Sequence, residues 1–182
     1  MNPAEDTRNL VDKFKGLPNE TVVAELDKSR TSLEIAIENL AHDFNIGTIV
    51  RNANAFNVAR VHIIGKRKDN RRGAMVTDKY LHIDHFATVD EFVADAHARG
   101  MKLVAIENNR PESKPLQNAE IAANSILIFG SESDGISQEL LDCVDQCFYI
   151  EQLGSTRSIN VGCASAVAMY EATRRLGYFN HA

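Results

Sequence analysis

Arg51 draws attention first, because a guanidinium keeps its charge at any physiological pH and offers a planar fork of donors to a phosphate or a developing oxyanion. It lies in the stretch HDFNIGTIVRNANAF, His42 to Phe56, six residues after Asn45 and among the apolar Ile46, Ile49, Val50, Ala53 and Phe56. Asn45 can cap the helix that follows, and Gly47 can admit another backbone to its first turn. A second stretch, ILIFGSESDGIS from Ile126 to Ser137, runs an apolar strand into Gly130 and Gly135, with Ser131 and Glu132 between them. A third, STRSINVG from Ser155 to Gly162, sets serines, a threonine, Arg157 and Asn160 ahead of an alanine-rich helix that Asn160 or Ser158 can cap. Junctions of this kind turn free backbone N–H groups and short polar side chains toward a concave site.

Each stretch also has a plainer reading. Arg51 can be a solvated helix arginine, the acidic glycine loop an ordinary turn, and the small residues of the last helix a tight packing surface. The glycines do not form a phosphate loop, since the Lys-Ser/Thr pair is missing, and no G-x-G-x-x-G follows any strand. Cys143, Cys147 and Cys163 form no C-x-x-C pair and lack a histidine cluster, so they are read as reduced packing thiols, and no metal is expected.

The elements that must position these stretches alternate along the chain. Strands are expected at Leu33–Asn39, Val58–Gly65, Leu81–Phe86, Lys102–Glu107, Ser125–Gly130 and Cys147–Gln152. Helices are expected over Asn45–Asn57, Thr88–Gly100 with Gly100 as its stop, Ser137–Val144 capped by Ser137, and Asn160–Gly177. The pattern is α/β, a parallel sheet flanked by helices, whose ligands bind at the carboxyl ends of the strands. Two short amphipathic helices, Pro3–Gly16 and Asn19–Arg30 with Asn19 as cap, precede it. Residues 1–30 thus read as an N-terminal helical extension and residues 31–182 as one domain. Asn108–Glu120 reads as an exposed loop.

With 182 residues, 44% of them hydrophobic and 25% charged, the chain is long enough to bury a core without staples. The polar N-terminus and the lack of a long apolar run imply a cytoplasmic protein with no membrane segment. The formal net charge of −5 is unevenly spread: Arg60–Arg72 sums to +5 and Ala74–Ile150 to −8. The basic cluster can be a solvated loop or a patch for a phosphate-bearing partner.

Taken together, N-x-G-x-x-x-R at Asn45, Gly47 and Arg51, G-x-E-x-x-G at Gly130, Glu132 and Gly135, and S-x-N-V at Ser158, Asn160 and Val161 resemble the SpoU/TrmH branch of the SPOUT RNA methyltransferases. The likeness runs from about Leu33 to Leu176. It implies a SPOUT-type fold with a C-terminal trefoil knot, a homodimer, and transfer of a methyl group from S-adenosyl-L-methionine to an RNA ribose 2′-hydroxyl. A sulfonium methyl is already activated, so that chemistry asks for no metal.

By the same resemblance, Arg51, Asn45, Ser158 and Asn160 are the catalytic set. The donor would lie against Phe129, Gly130, Ser131, Glu132, Gly135, Ile150, Gln152, Leu153, Ser158 and Val161. Lys66, Arg67, Lys68, Arg71, Arg72 and Arg157 would hold RNA phosphates. The segment RRGAMVTDKYLHI is similar to that of members methylating a D-loop guanosine, and the short extension leaves no room for a large RNA-binding domain, so tRNA is the expected substrate. A ribosomal RNA target, an inactive RNA-binding module of the same fold, and a nucleotide-binding module unrelated to RNA are the alternatives. Gly162 departs from the family's usual second serine, which leaves one donor or capping contact open.

Overall fold

The computed structural model describes residues 9–39, 45–65, 77–108, 110–131 and 134–179. Seven strands form one sheet: β1 (Glu34–Asn39), β2 (Arg60–Gly65), β3 (Ile83–Phe86), β4 (Lys102–Ile106), β5 (Lys114–Pro115), β6 (Ser125–Phe129) and β7 (Gln146–Tyr149). Their order is β3-β2-β1-β6-β4-β7-β5, and every pair is parallel. Parallel strands are covered on both faces, which is why β6, SILIF, is apolar from Ile126 to Phe129 and buried throughout.

Successive side chains of the central strands enter two different cores. Ile35, Ile37, Leu127 and Phe129 join Ile49, Val50 and Met169 from α2 (Ile46–Ala55) and α5 (Val161–Arg175). Ala36, Ile126 and Ile128 point the other way, to Phe92 of α3 (Val89–Ala98) and Leu140 of α4 (Gln138–Leu141). The period-2 alternation thus fixes which face each helix covers.

The helix ends follow local chemistry. Ser137 Oγ accepts from Leu140 N at 3.2 Å, so the expected cap forms, and Thr88 Oγ1 accepts from Glu91 N at 3.2 Å and caps α3 in the same way. After α3, Gly100 takes φ +68° and lets the chain turn back toward β4.

Three expectations need correction. Asn19 is the first residue of α1 (Asn19–Asp27) rather than its cap; Pro18 occupies the cap position with φ −56° and ψ 146° and leaves no side-chain acceptor there. The helix expected at Pro3–Gly16 is, among the described residues, a single 3-10 turn at Asp12–Phe14. Its Phe14 packs with Val22 of α1 and Tyr80 in a small cluster of their own. Asn108–Glu120 is not simply a loop: it contributes β5 at the sheet edge and buries Leu116 and Ala119, whose apolar side chains the prolines and polar neighbours disguised.

Two of the cysteines pack into the molecule as expected, and the third does not. Cys147 is buried; burial pushes its thiol pKa up, although Ser113 Oγ donates to its sulfur at 3.0 Å. Cys163 is exposed, because it falls on the outward side of α5.

The strand order sets the carboxyl ends of β6, β4 and β7 side by side. Each leads into one of the segments that the sequence singled out or adjoins them.

Candidate functional site

The loop after β6 is built by its two glycines. A Cβ on Gly130 would stand 2.0 Å from the carbonyl carbon of Gly135 and 2.3 Å from Ile136 N, so only hydrogen fits between these backbones. Ser131 and Gly135 exchange backbone hydrogen bonds at 3.0 Å each, and Gly135 takes φ +70°, where a side chain is strained. The spacing of the glycines is therefore the geometry of one tight, closed loop.

The segment after β7 runs through Ser158 to Asn160 into α5. Asn160 Oδ1 accepts from Cys163 N at 3.2 Å and caps the helix, while Asn160 Nδ2 donates to Asn45 Oδ1 at 2.9 Å. Asn45 has no side-chain cap bond to α2, contrary to expectation; its oxygen is used to hold the start of α5.

Below that tie, α2 and α5 touch closely. Asn52 Nδ2 donates to Gly162 O at 2.8 Å and to Ser165 Oγ at 3.0 Å. A Cβ on Gly162 would lie 2.8 Å from Thr48 Cγ2. Asn45, Thr48 and Asn52 follow one another at helical spacing of three and four, a signal in the sequence that went unread.

These segments enclose a cleft of about 410 Å³, within the usual range for small-molecule sites. Of the residues expected to hold the donor, Gly130, Ser131, Gly135, Ile150, Gln152, Ser158 and Val161 line it, together with Asn160 and Arg157. Phe129 lies beneath, 1% exposed in the core, and Leu153 points to solvent at 95% exposure; neither lines the cleft. Glu132 and the cluster Lys66, Arg67, Lys68, Arg71 and Arg72 lie outside the described residues.

Arg51 is exposed on α2 and does not line the cleft; its guanidinium donates to Asn9 Oδ1 at 3.3 Å. It is the residue before Asn52, which grips α5, so the helix turns it away from that contact by roughly 100°.

Sequence reasoning missed Glu107 and Asn108, which follow β4 and line the same cleft, along with Asp134 and Tyr149. A charged residue at the carboxyl end of a buried parallel strand was the available signal.

The cleft suits the methyl donor that the resemblance implies. Its walls include Gly130, Ser131 and Gly135 with their main-chain groups, and Gln152 Oε1 is a buried acceptor with no partner among the described residues. Among the described residues no group of three or more His, Cys, Asp or Glu gathers as a metal site would, and no helix is long and apolar enough to cross a membrane.

The family model described as the SpoU rRNA methylase family matches residues 32–170. The tRNA (guanosine(18)-2′-O)-methyltransferase of Escherichia coli (strain K12) is 27% identical over 155 residues, covering 82% of this chain and 66% of that protein. The chain thus spans just under two-thirds of that relative's length. A 23S rRNA (guanosine-2′-O-)-methyltransferase of Acinetobacter baylyi is 25% identical over 198 residues, covering 94% of this chain and 78% of that one. Among solved structures, the TrmH/SpoU tRNA modifying enzyme of A. aeolicus superposes with a TM-score of 0.75 at 24% identity, covering 86% of this chain and 81% of that one. An rRNA methyltransferase of Sinorhizobium meliloti with AdoMet bound gives a TM-score of 0.72 at 22% identity over 83% of this chain and 60% of that one.

Proposed function

The chain belongs to the SpoU rRNA methylase family, and from that premise we propose that it is an S-adenosyl-L-methionine-dependent RNA 2′-O-ribose methyltransferase acting on tRNA, with a D-loop guanosine as its target. The observation that carries this reading is the cleft at the ends of β4, β6 and β7, where two of the three family motifs meet.

When bound, S-adenosyl-L-methionine supplies a methyl carbon to which the ribose 2′-oxygen bonds as the carbon–sulfur bond breaks, with the 2′-proton leaving to a phosphate oxygen or water. The backbone of Gly130, Ser131, Gly135 and Ile150 to Gln152 holds the donor. Ser158 and Asn160 orient the ribose, and the bond from Asn160 to Asn45 keeps that corner still. Arg51 grips the target phosphate and stabilises the developing alkoxide; it is not a base, since a guanidinium offers donors and no acceptor.

Arg51 does not line the cleft of its own chain, which favours a homodimer in which it serves the partner's cleft. Val167, Tyr170 and Phe179, 45%, 53% and 47% exposed along α5 and just beyond it, are apolar enough to form that contact. The same reading gives the chain a C-terminal trefoil knot. Residues 1–30 form an extension to the methyltransferase domain.

Lys66, Arg67, Lys68, Arg71 and Arg72, with Arg157, supply phosphate contacts. In favour of this, β2 ends at Gly65 at the same carboxyl end of the sheet as the cleft, with β1 between β2 and β6.

The test is incubation with methyl-labelled donor and bulk tRNA, followed by alkaline digestion. Label in alkali-resistant dinucleotides is expected, and label on no RNA rejects the reading. Label on ribosomal RNA alone would establish the second reading, which the Acinetobacter baylyi relative favours.

A further inference from the structure

We propose that Glu107 and Asn108 are a positioning pair that latches the two donor-binding loops to the end of β4; the inference rests on the methyltransferase reading above. The Glu107 backbone is itself fixed, because its N–H donates to Phe148 O at 2.9 Å and so prolongs the β4–β7 ladder. From that anchor the side chain reaches sideways. Glu107 Oε2 accepts from Ile136 N at 3.2 Å, and Oε1 accepts from Asn108 N at 2.8 Å. Asn108 Nδ2 then donates to Arg157 O at 3.0 Å.

The chain of bonds therefore runs from the loop after β6, across the end of β4, to the segment after β7. It joins residues 29 and 49 positions apart in sequence, and both its side chains stand in the cleft wall. Glu107 also sets the space at Gly135: a Cβ there would stand 2.5 Å from Glu107 Oε2, so this glycine is demanded by the latch as well as by its φ of +70°.

A site that reads its ligand through main-chain groups has few side chains to adjust, so its loops must be held to within about 0.5 Å of the binding geometry. A carboxylate accepting backbone N–H bonds is a strong means of doing so, since charge-assisted bonds are roughly twice as strong as neutral ones. Glu107 and Asn108 thereby act on the donor through the loops rather than by touching the reacting atoms.

Two variants test the latch, Glu107→Gln and Asn108→Ala, each measured by calorimetric binding of S-adenosylhomocysteine, by KM and kcat with tRNA, and by thermal midpoint. Loss of one such bond corresponds to roughly tenfold weaker binding. The expected result is that loss in Kd, a matching rise in KM for the donor, and kcat at saturating donor within about twofold of wild type. Unchanged Kd with only a lower thermal midpoint overturns the proposal, because a merely structural tie behaves that way. If Glu107→Gln does not fold, Asn108→Ala decides alone, since its side chain is exposed and its loss leaves the Ile136 bond in place. Wild-type protein that binds no S-adenosylhomocysteine rejects the site itself and the latch with it, whereas tight binding by wild type and both variants rejects the latch only.

Discussion

Asn160 and Asn45, 115 residues apart, share a side-chain hydrogen bond of 2.9 Å while Asn160 also caps α5. One side chain thus starts a helix and ties that start to another motif. Asn160→Ala loses both functions and Asn45→Ala only the tie. Urea unfolding should show Asn160→Ala costing about 1–2 kcal/mol and Asn45→Ala roughly 0.5–1 kcal/mol. The double variant should fall short of additivity by roughly the worth of the tie, about 0.5 kcal/mol or more. Strict additivity would show that the bond carries no energy.

Gly162 stands where the motif resemblance leads one to expect a serine, and the structure gives that departure a steric reason. The added Cβ would meet Thr48 Cγ2 at 2.8 Å and Asn160 Oδ1 at 3.0 Å. Gly162→Ser should therefore destabilise by roughly 1–3 kcal/mol, in the range of overpacked interiors. Adding Thr48→Ala should recover part of the loss, as read from paired thermal midpoints.

At Gly130 the obstacle is backbone rather than a side chain, so no rotamer change relieves it. Gly130→Ala should cost roughly 3 kcal/mol or more, or abolish soluble expression. Gly154→Ala, where nothing lies within 4 Å of the added carbon, is the control and should be nearly neutral.

Far from the cleft, Glu34 and His62 form a buried pair with Nε2 2.7 Å from Oε2, and Arg99 clasps the same carboxylate at 2.8 Å. Asp95 holds Arg99 from α3, and Asp84, itself bound by Arg60, lies 3.8 Å from His62 Nδ1. Burial alone would raise the Glu34 pKa, but the hydrogen bonds from His62 and Arg99 outweigh it and bring it from 4.5 down to about 2. As pH falls below the unfolded value, the unfolded chain takes up a proton that the native carboxylate resists. Stability present above pH ~4.5 should then be lost progressively toward pH ~2, by about 3 kcal/mol from this group. Urea midpoints between pH 7 and pH 2 measure it, and Glu34→Gln should flatten that part of the curve.

The parallel sheet and the two glycines of the β6 loop were legible because strand patterning and glycine stereochemistry are local. The roles of Asn45 and Glu107 were not, since each binds a group brought near only by the fold. Asn45 looked like a helix cap because its residue type caps helices, but its oxygen goes to Asn160 instead. Glu107 read as the last residue of a strand, and its partners, Ile136 N and Asn108 N, are anonymous backbone groups. Leu153 was expected against the donor through the resemblance alone, and its side chain faces solvent.

The most direct measurement is mass-spectrometric nucleoside analysis of tRNA treated with wild type and with Arg51→Ala in the presence of S-adenosyl-L-methionine. Wild type should generate a single 2′-O-methylated nucleoside, and Arg51→Ala should form it at least about a hundredfold more slowly with an unchanged thermal midpoint. A base-methylated nucleoside, or equal ribose methylation by both proteins, would contradict the mechanism at its centre.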